Sequence, residues 1–163
     1  MTDNAPVIEV SISEQRLRLR EQNRITLDVA VSTAKNGAGE INGSECTPRG
    51  AHVVRAKIGA GCAVNTVFVS RRPTGEMYTP ALRQHYPQRD WILTRILWLS
   101  GLEVGTNRRG NVDTMRRYIY IHGCPEEDAV GVPSSHGCVK MRNRDLIKLF
   151  ERVPVGARVI IRE

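Results

Sequence analysis

The residues in this chain best suited to chemistry lie in one late stretch. His122-Gly123 is followed by Ser135-His136-Gly137-Cys138, which puts a cysteine sixteen positions after the first histidine and two after the second. A cysteine attacks as its thiolate. A free thiol titrates near ~8.5, and a neighbouring imidazole brings that down to roughly 3.5–7.5. The arrangement predicts acyl transfer, with Cys138 as nucleophile and His122 as the base that ionises it and holds its proton. Gly137 permits a sharp turn before the nucleophile, so the backbone amides of His136, Gly137 and Cys138 can face a developing oxyanion. Gly123, Ser135 and the main chain after His122 are candidates to orient an imidazole, because a base needs a third group to fix its tautomer.

Two other readings use the same residues. A lone cysteine or histidine is commonly a buried packing residue or a satisfied polar group. His122-Gly123-Cys124 and His136-Gly137-Cys138 also form two His-x-Cys units, and residues two apart on a strand share a face, so a tetrahedral His₂Cys₂ zinc site is conceivable. The usual C-x₂₋₄-C and H-x₃₋₅-H spacings are absent, which favours the nucleophile and a site with no metal or organic cofactor. His52, within a strand-like pattern, reads as structural, and His85 as solvated. Arg116 and Arg117 precede the strand leading to His122, where they either clamp a substrate carboxylate or cap the strand.

These residues need a frame, and the pattern supplies a mainly β one. Val7 to Ile12 and Gln15 to Arg20 alternate at period two like a hairpin, and Arg24 to Ser32 continues as a third strand. A polar, glycine-rich stretch, Thr33 to Gly50, follows. Ala51 to Ile58, Thr66 to Ser70, Trp91 to Leu99, Tyr118 to His122 and Ala157 to Arg162 read as further strands, with Ser100 to Asn111 a loop. One helix is expected from Arg144 to Arg152, with Asn143 as N-cap and Asp145 in the first turn. At 163 residues this predicts one β-sandwich domain over 7–163 after a short N-terminal tail, 1–6.

Charge and cysteine content narrow the partners. The net charge is +7, and twenty of the twenty-four basic residues are arginine, whose planar fork suits carboxylates and phosphates. Nucleic acid is disfavoured: Arg16, Arg18 and Arg20 alternate with Leu17 and Leu19 as the wet face of a strand, and no aromatics interleave with the basic residues. No apolar run approaches a membrane span. The N-terminus shows no basic and apolar leader pattern, so a cytoplasmic location is expected, or a periplasmic one if a leader has been removed. Cys46, Cys62, Cys124 and Cys138 then read as reduced thiols.

With these residues in view, the chain resembles the L,D-transpeptidase (YkuD-type) catalytic domain. Ser135-His136-Gly137-Cys138-Val139-Lys140-Met141 after His122-Gly123 looks like that family's signature, Thr47-Pro48-Arg49-Gly50 like its Thr-Pro-x-Gly turn, and Val7 to Leu17 like its first hairpin. The resemblance implies a β-sandwich, a Cys138 nucleophile partnered by His122, and a peptidoglycan stem peptide or muropeptide cut between a diaminoacyl L-centre and D-alanine. Lys140 stands where the family usually has arginine, keeping the charge and a substrate-binding role without the fork. Cys124 replaces a small hydroxyl residue and would be able to pair with Cys138 under oxidation. Members divide by acyl acceptor. Exported transpeptidases use an amine, and L,D-carboxypeptidases without export signals use water in murein recycling. The missing leader and the reduced thiols point to the carboxypeptidase, with the transpeptidase as alternative.

Overall fold

The computed structural model describes residues 4–163, so residues 1–3 of the expected tail lie outside the described residues. The strands are β1 (Val7–Ser11), β2 (Arg16–Glu21), β3 (Arg24–Ser32), β4 (Gly50–Ile58), β5 (Thr66–Val69), β6 (Arg72–Met77), β7 (Ile92–Gly101), β8 (Tyr120–Gly123), β9 (Val139–Met141) and β10 (Arg158–Arg162). Helix α1 (Pro80–His85) precedes β7, and α2 (Asn143–Arg152) follows β9. This is the mainly β, single-domain architecture the alternation predicts. Hydrogen bonds run β4-β10-β1-β2-β3-β9-β8-β7, and β7 pairs back onto β4, so the sandwich closes into a ring of eight strands. The β5–β6 hairpin extends from the start of β7, where Val67 and Phe68 face Leu93 and Ile92.

Period-two burial explains why these segments are strands. In β1 and β2, Ile8, Val10, Leu17 and Leu19 point into the core. The intervening arginines stay on the outer face, where Arg16 and Arg18 pair with Asp28 and Arg20 with Glu9. Those arginines are therefore paired with carboxylates side by side on the outer face of the sheet. The core also takes Leu97, Leu99, Ile121, Val139, Met141, Val159 and Ile161 from the ring, and α2 lays Leu146, Leu149 and Phe150 into the same cluster. No helix among the described residues is long and apolar enough to cross a membrane.

Several boundaries differ from expectation. Tyr118 is not in a strand: it has a left-handed φ of 55° and is exposed, and β8 begins at Tyr120. Ser100 and Gly101 belong to β7 rather than to the loop. Three elements, β6, β9 and α1, were not anticipated, although Thr79-Pro80 is a good helix start and the Thr79 hydroxyl accepts from Leu82 N–H at 3.1 Å. Asn143 does not cap α2. The cap position is Arg142, with no side-chain cap bond, and Asn143 is a buried first-turn residue. Its amide donates to the Cys124 carbonyl at 3.1 Å and its carbonyl accepts from the Thr94 hydroxyl at 2.8 Å. That spends the side chain on tying α2 to β7 and to the end of β8.

Truncating Leu149 to alanine removes a fully buried contact between α2 and the ring. It should cost about 2–5 kcal/mol in urea unfolding, and a loss under ~1 kcal/mol would show that α2 does not help hold the core. His52 is fully buried between the Gly50 carbonyl and the Thr114 hydroxyl, and burial holds its imidazole down at about 4. The unfolded imidazole takes its proton near ~6.5 while the folded one stays neutral. Stability should therefore fall as pH drops from 7 towards 4, by up to about 1.4 kcal/mol per pH unit for this group. The slope should flatten in His52→Gln, which has no titrating ring, as read by urea midpoints across that range.

Candidate active site

Strands β8 and β9 pair in parallel, with Ile121 opposite Val139, His122 opposite Lys140 and Gly123 opposite Met141. Ile121, Val139 and Met141 point into the core. Alternation then sends Tyr120, His122, Cys138 and Lys140 to the opposite face. One step back along the register, Cys138 lies beside Tyr120, two strand positions from His122. Both His122 and Cys138 line a cavity of about 430 Å³, together with Ser70, Arg71, Asp90, Arg117, Tyr118, Tyr120, Ser135 and His136.

The thiol is half-buried and held by main chain. Tyr120 N–H donates to Sγ at 3.3 Å, and the thiol points to the Tyr118 carbonyl at 3.5 Å. The imidazole of His122 is buried, and its Nδ1 lies 2.7 Å from the Gly123 carbonyl. A carbonyl only accepts, so Nδ1 carries the proton and Nε2 keeps its lone pair. The main chain after His122 thus supplies the orienting acceptor. Gly123 also has to be glycine, because a Cβ there would collide with Asn143 Oδ1 and the Leu93 carbonyl.

Ser135 contacts the nucleophile loop rather than an imidazole. Its hydroxyl donates to the Cys138 carbonyl at 2.5 Å and accepts from Gly137 N–H at 3.1 Å. Gly137 N–H is therefore already engaged, while no hydrogen bond among the described residues occupies the N–H of His136 or Cys138. The Gly137 carbonyl is held by the buried hydroxyl of Thr47 at 2.9 Å, and that hydroxyl also accepts from Ala34 N–H. Thr47 opens the Thr-Pro-Arg-Gly turn, and the motif was the signal that could have marked it as a site residue. Gly137 itself has φ +128°, with the Cys46 carbonyl 3.2 Å from where a Cβ would stand. A larger residue there is strained as well as crowded.

The basic candidates separate. Arg117 reaches the cavity, but its guanidinium donates to the carbonyls of Gly39 and Cys46, at 3.2 and 2.6 Å, strapping down the segment that carries Thr47. Burial lowers its pKa, and it has no carboxylate partner among the described residues. Arg116 is exposed, lines no part of this cavity, and uses its backbone N–H on Asp113. Lys140 lies 3.8 Å from Asp128 and lines a second cavity, of about 240 Å³, that meets the first at Asp90, Ser135 and His136. His136 itself is exposed. Sequence reasoning missed Arg71, Tyr120 and Asp90, because nothing local marks them.

Three sequence expectations change. The parallel register places Cys124 about four residues beyond the level of Cys138, roughly 13 Å along the ladder. That is too far for a disulfide, whose Cα atoms lie within ~7 Å of each other. Cys124 is fully buried with its thiol towards the Met141 carbonyl, and burial pushes that thiol up to about 11. For the same reason the four ligands of the conceived zinc site do not converge, and no three His, Cys, Asp or Glu side chains among the described residues do so. Finally, burial disfavours a standing ion pair. Burial pushes the Cys138 thiol up to about 12, outweighing the Tyr120 N–H bond, and burial lowers the His122 imidazole. Both shifts favour the neutral form of each group.

A family profile described as the L,D-transpeptidase catalytic domain, YkuD, matches residues 5–161. This chain belongs to the L,D-transpeptidase catalytic-domain family. YbiS of Escherichia coli K12, described as a probable L,D-transpeptidase, is 32% identical over 114 residues, covering 63% of this chain and 34% of that protein. YkuD of Bacillus licheniformis is 27% identical over 154 residues, covering 94% of this chain and 64% of the other. The matched stretch is thus about a third of YbiS and just under two thirds of YkuD. L,D-transpeptidase 3 from Mycobacterium tuberculosis shares the fold, with a TM-score of 0.60 at 16% identity over 98% of this chain and 61% of that one.

A neutral thiol implies a definite pH profile. Iodoacetamide labelling of Cys138, followed on its own peptide by mass spectrometry, should rise about tenfold per pH unit from 7 to 10 without levelling off. A plateau below pH 7 would show that a thiolate–imidazolium pair exists at rest.

Proposed function

We propose that the protein is a cysteine-dependent L,D-carboxypeptidase that removes the terminal D-alanine from murein tetrapeptides. The observation that carries the acyl-transfer reading is the shared cavity in which Cys138 Sγ, fixed under Tyr120 N–H, meets a His122 whose Nδ1 is locked by Gly123. Because both groups rest neutral, the proton moves during attack. His122 Nε2 takes the Sγ proton as sulfur bonds to the scissile carbonyl carbon, and negative charge grows on the carbonyl oxygen. The N–H groups of His136 and Cys138, free of other hydrogen bonds among the described residues, would receive that charge, and Arg117 would add a nearby positive one. The C–N bond breaks, the amine of D-alanine leaves with the proton from His122, and a thioester remains on Cys138. Water then gives a proton to His122, attacks the thioester, and releases the tripeptide acid as the thiolate is reprotonated.

Water as acceptor is supported by the charge of the adjoining cavity. Arg83, Arg89 and Lys140 line it against Asp90 and Asp128, and Asp128 is already paired with Arg83 at 2.7 Å. That lining is unwelcoming to an incoming ammonium. The four unpaired cysteines support a reducing, cytoplasmic setting. The transpeptidase reading is favoured by one observation: the second cavity offers a second approach to the thioester, at Asp90 and His136.

Tetrapeptide muropeptide should give tripeptide as sole product, with or without added D-amino acid, when products are weighed by mass spectrometry. Exchange or dimer products would assign the transferase instead. Cys138→Ala should abolish turnover with an unchanged fold, and His122→Ala should slow it by roughly 10²–10⁴. Retained turnover in Cys138→Ala would overturn the nucleophile.

A further inference from the structure

The cavity around Cys138 is electrically polarised along its length. Asp90 and His136 stand at the end shared with the second cavity. The other end is built around Arg71. Its guanidinium carbon lies 4.6 Å from the Trp98 ring centre and 4.9 Å from that of Tyr118, and its Nη1 donates to the Tyr120 hydroxyl at 3.0 Å. Unlike Arg117, whose fork is spent on main-chain carbonyls, Arg71 has this single hydrogen bond and no carboxylate partner among the described residues. The aromatic contacts fix the plane of the fork while leaving most of its donors unused.

The backbone reinforces this placement. Arg71 and Ser70 form the turn between β5 and β6, and both have left-handed φ, 65° and 49°. Glycine or asparagine is the ordinary occupant of such a turn. Here an arginine takes the position, and its side chain is carried across to the mouth of the catalytic cavity. A pre-oriented guanidinium with free donors, on the opposite side of the cavity from a carboxylate, is a receptor for a carboxylate.

We propose that Arg71 captures the free α-carboxylate of the departing residue and is the side chain that sets a preference for a free C-terminus over a blocked one. This rests on the peptide-cleaving reading above. Binding through Arg71 holds the departing residue in the same cavity as Cys138 and His122. Asp90 then repels a carboxylate bound in the reverse orientation.

The test compares a tetrapeptide ending in D-alanine with the same peptide ending in D-alaninamide, for the intact protein and for Arg71→Gln and Arg71→Lys. The intact protein should favour the acid by roughly 30-fold or more in kcat/KM, since the amide leaves the guanidinium without its counter-charge. Arg71→Gln should bring that ratio close to one, and Arg71→Lys, which keeps the charge without the fork, should fall between. A purely packing role for Arg71 against Trp98 would lower thermal stability but leave the acid-to-amide ratio where it was, and that result overturns the proposal. An intact protein that cleaves both peptides equally overturns it as well. If the intact protein cleaves neither peptide while the Cys138 thiol still alkylates, the peptidase reading itself fails.

Discussion

The site depends on three rungs of parallel ladder between β8 and β9. Parallel neighbours cannot be joined by a tight turn, so the chain leaves β8 at Gly123 and returns fifteen residues later, at Cys138, alongside Tyr120. Side-by-side parallel strands put residues of like parity on one face. That is how a histidine and a cysteine distant in sequence come to share a cavity, with the hydrophobic core on the other side of the same two strands. Any slip of one residue in this register would bury the thiol and expose Met141. The register is secured from both sides: the Asn143 amide donating to the Cys124 carbonyl holds the end of β8, and Thr47 and Ser135 hold the main chain immediately before and at Cys138.

The same packing sets the electrostatics. A cysteine paired with histidine invites the picture of a standing ion pair, yet the His122 ring is fully surrounded and the sulfur sits under main chain. Burial there shifts the thiol up and the imidazole down, each towards its neutral form. In the mechanism proposed above, charge develops as sulfur attacks, when the N–H groups of His136 and Cys138 and Arg117 would have something to stabilise. Interactions realised only at that stage lower the barrier instead of merely tightening substrate binding. A protonated resting thiol is also less open to adventitious oxidation than a standing thiolate.

Much of this was legible in the residues. Alternation in Val7 to Arg20 marked the first hairpin, and the Ser-His-Gly-Cys run marked the segment that brings Cys138 to the cavity shared with His122. What escaped has a physical reason in each case. β6 contains Pro73 and Gly75, which read as turn residues, and β9 is only three residues long and hidden in the motif. Asn143 carries the composition of a cap, but its tertiary partners, Thr94 and Cys124, lie nearly fifty and nineteen positions away. Arg71 and Asp90 enter the cavity from segments that no local pattern ties to His122. Local chemistry was readable, and long-range assembly was not.

Closure of the ring has a further consequence. With the ring closed, the last strand in the order, β6, is paired on one side only. An open edge is a template on which another chain can polymerise. Here it is short, Pro73 lacks an N–H to offer, and Arg72 adds charge beside it. That edge of a mainly β fold is thereby poorly suited to pairing with the strand of another molecule.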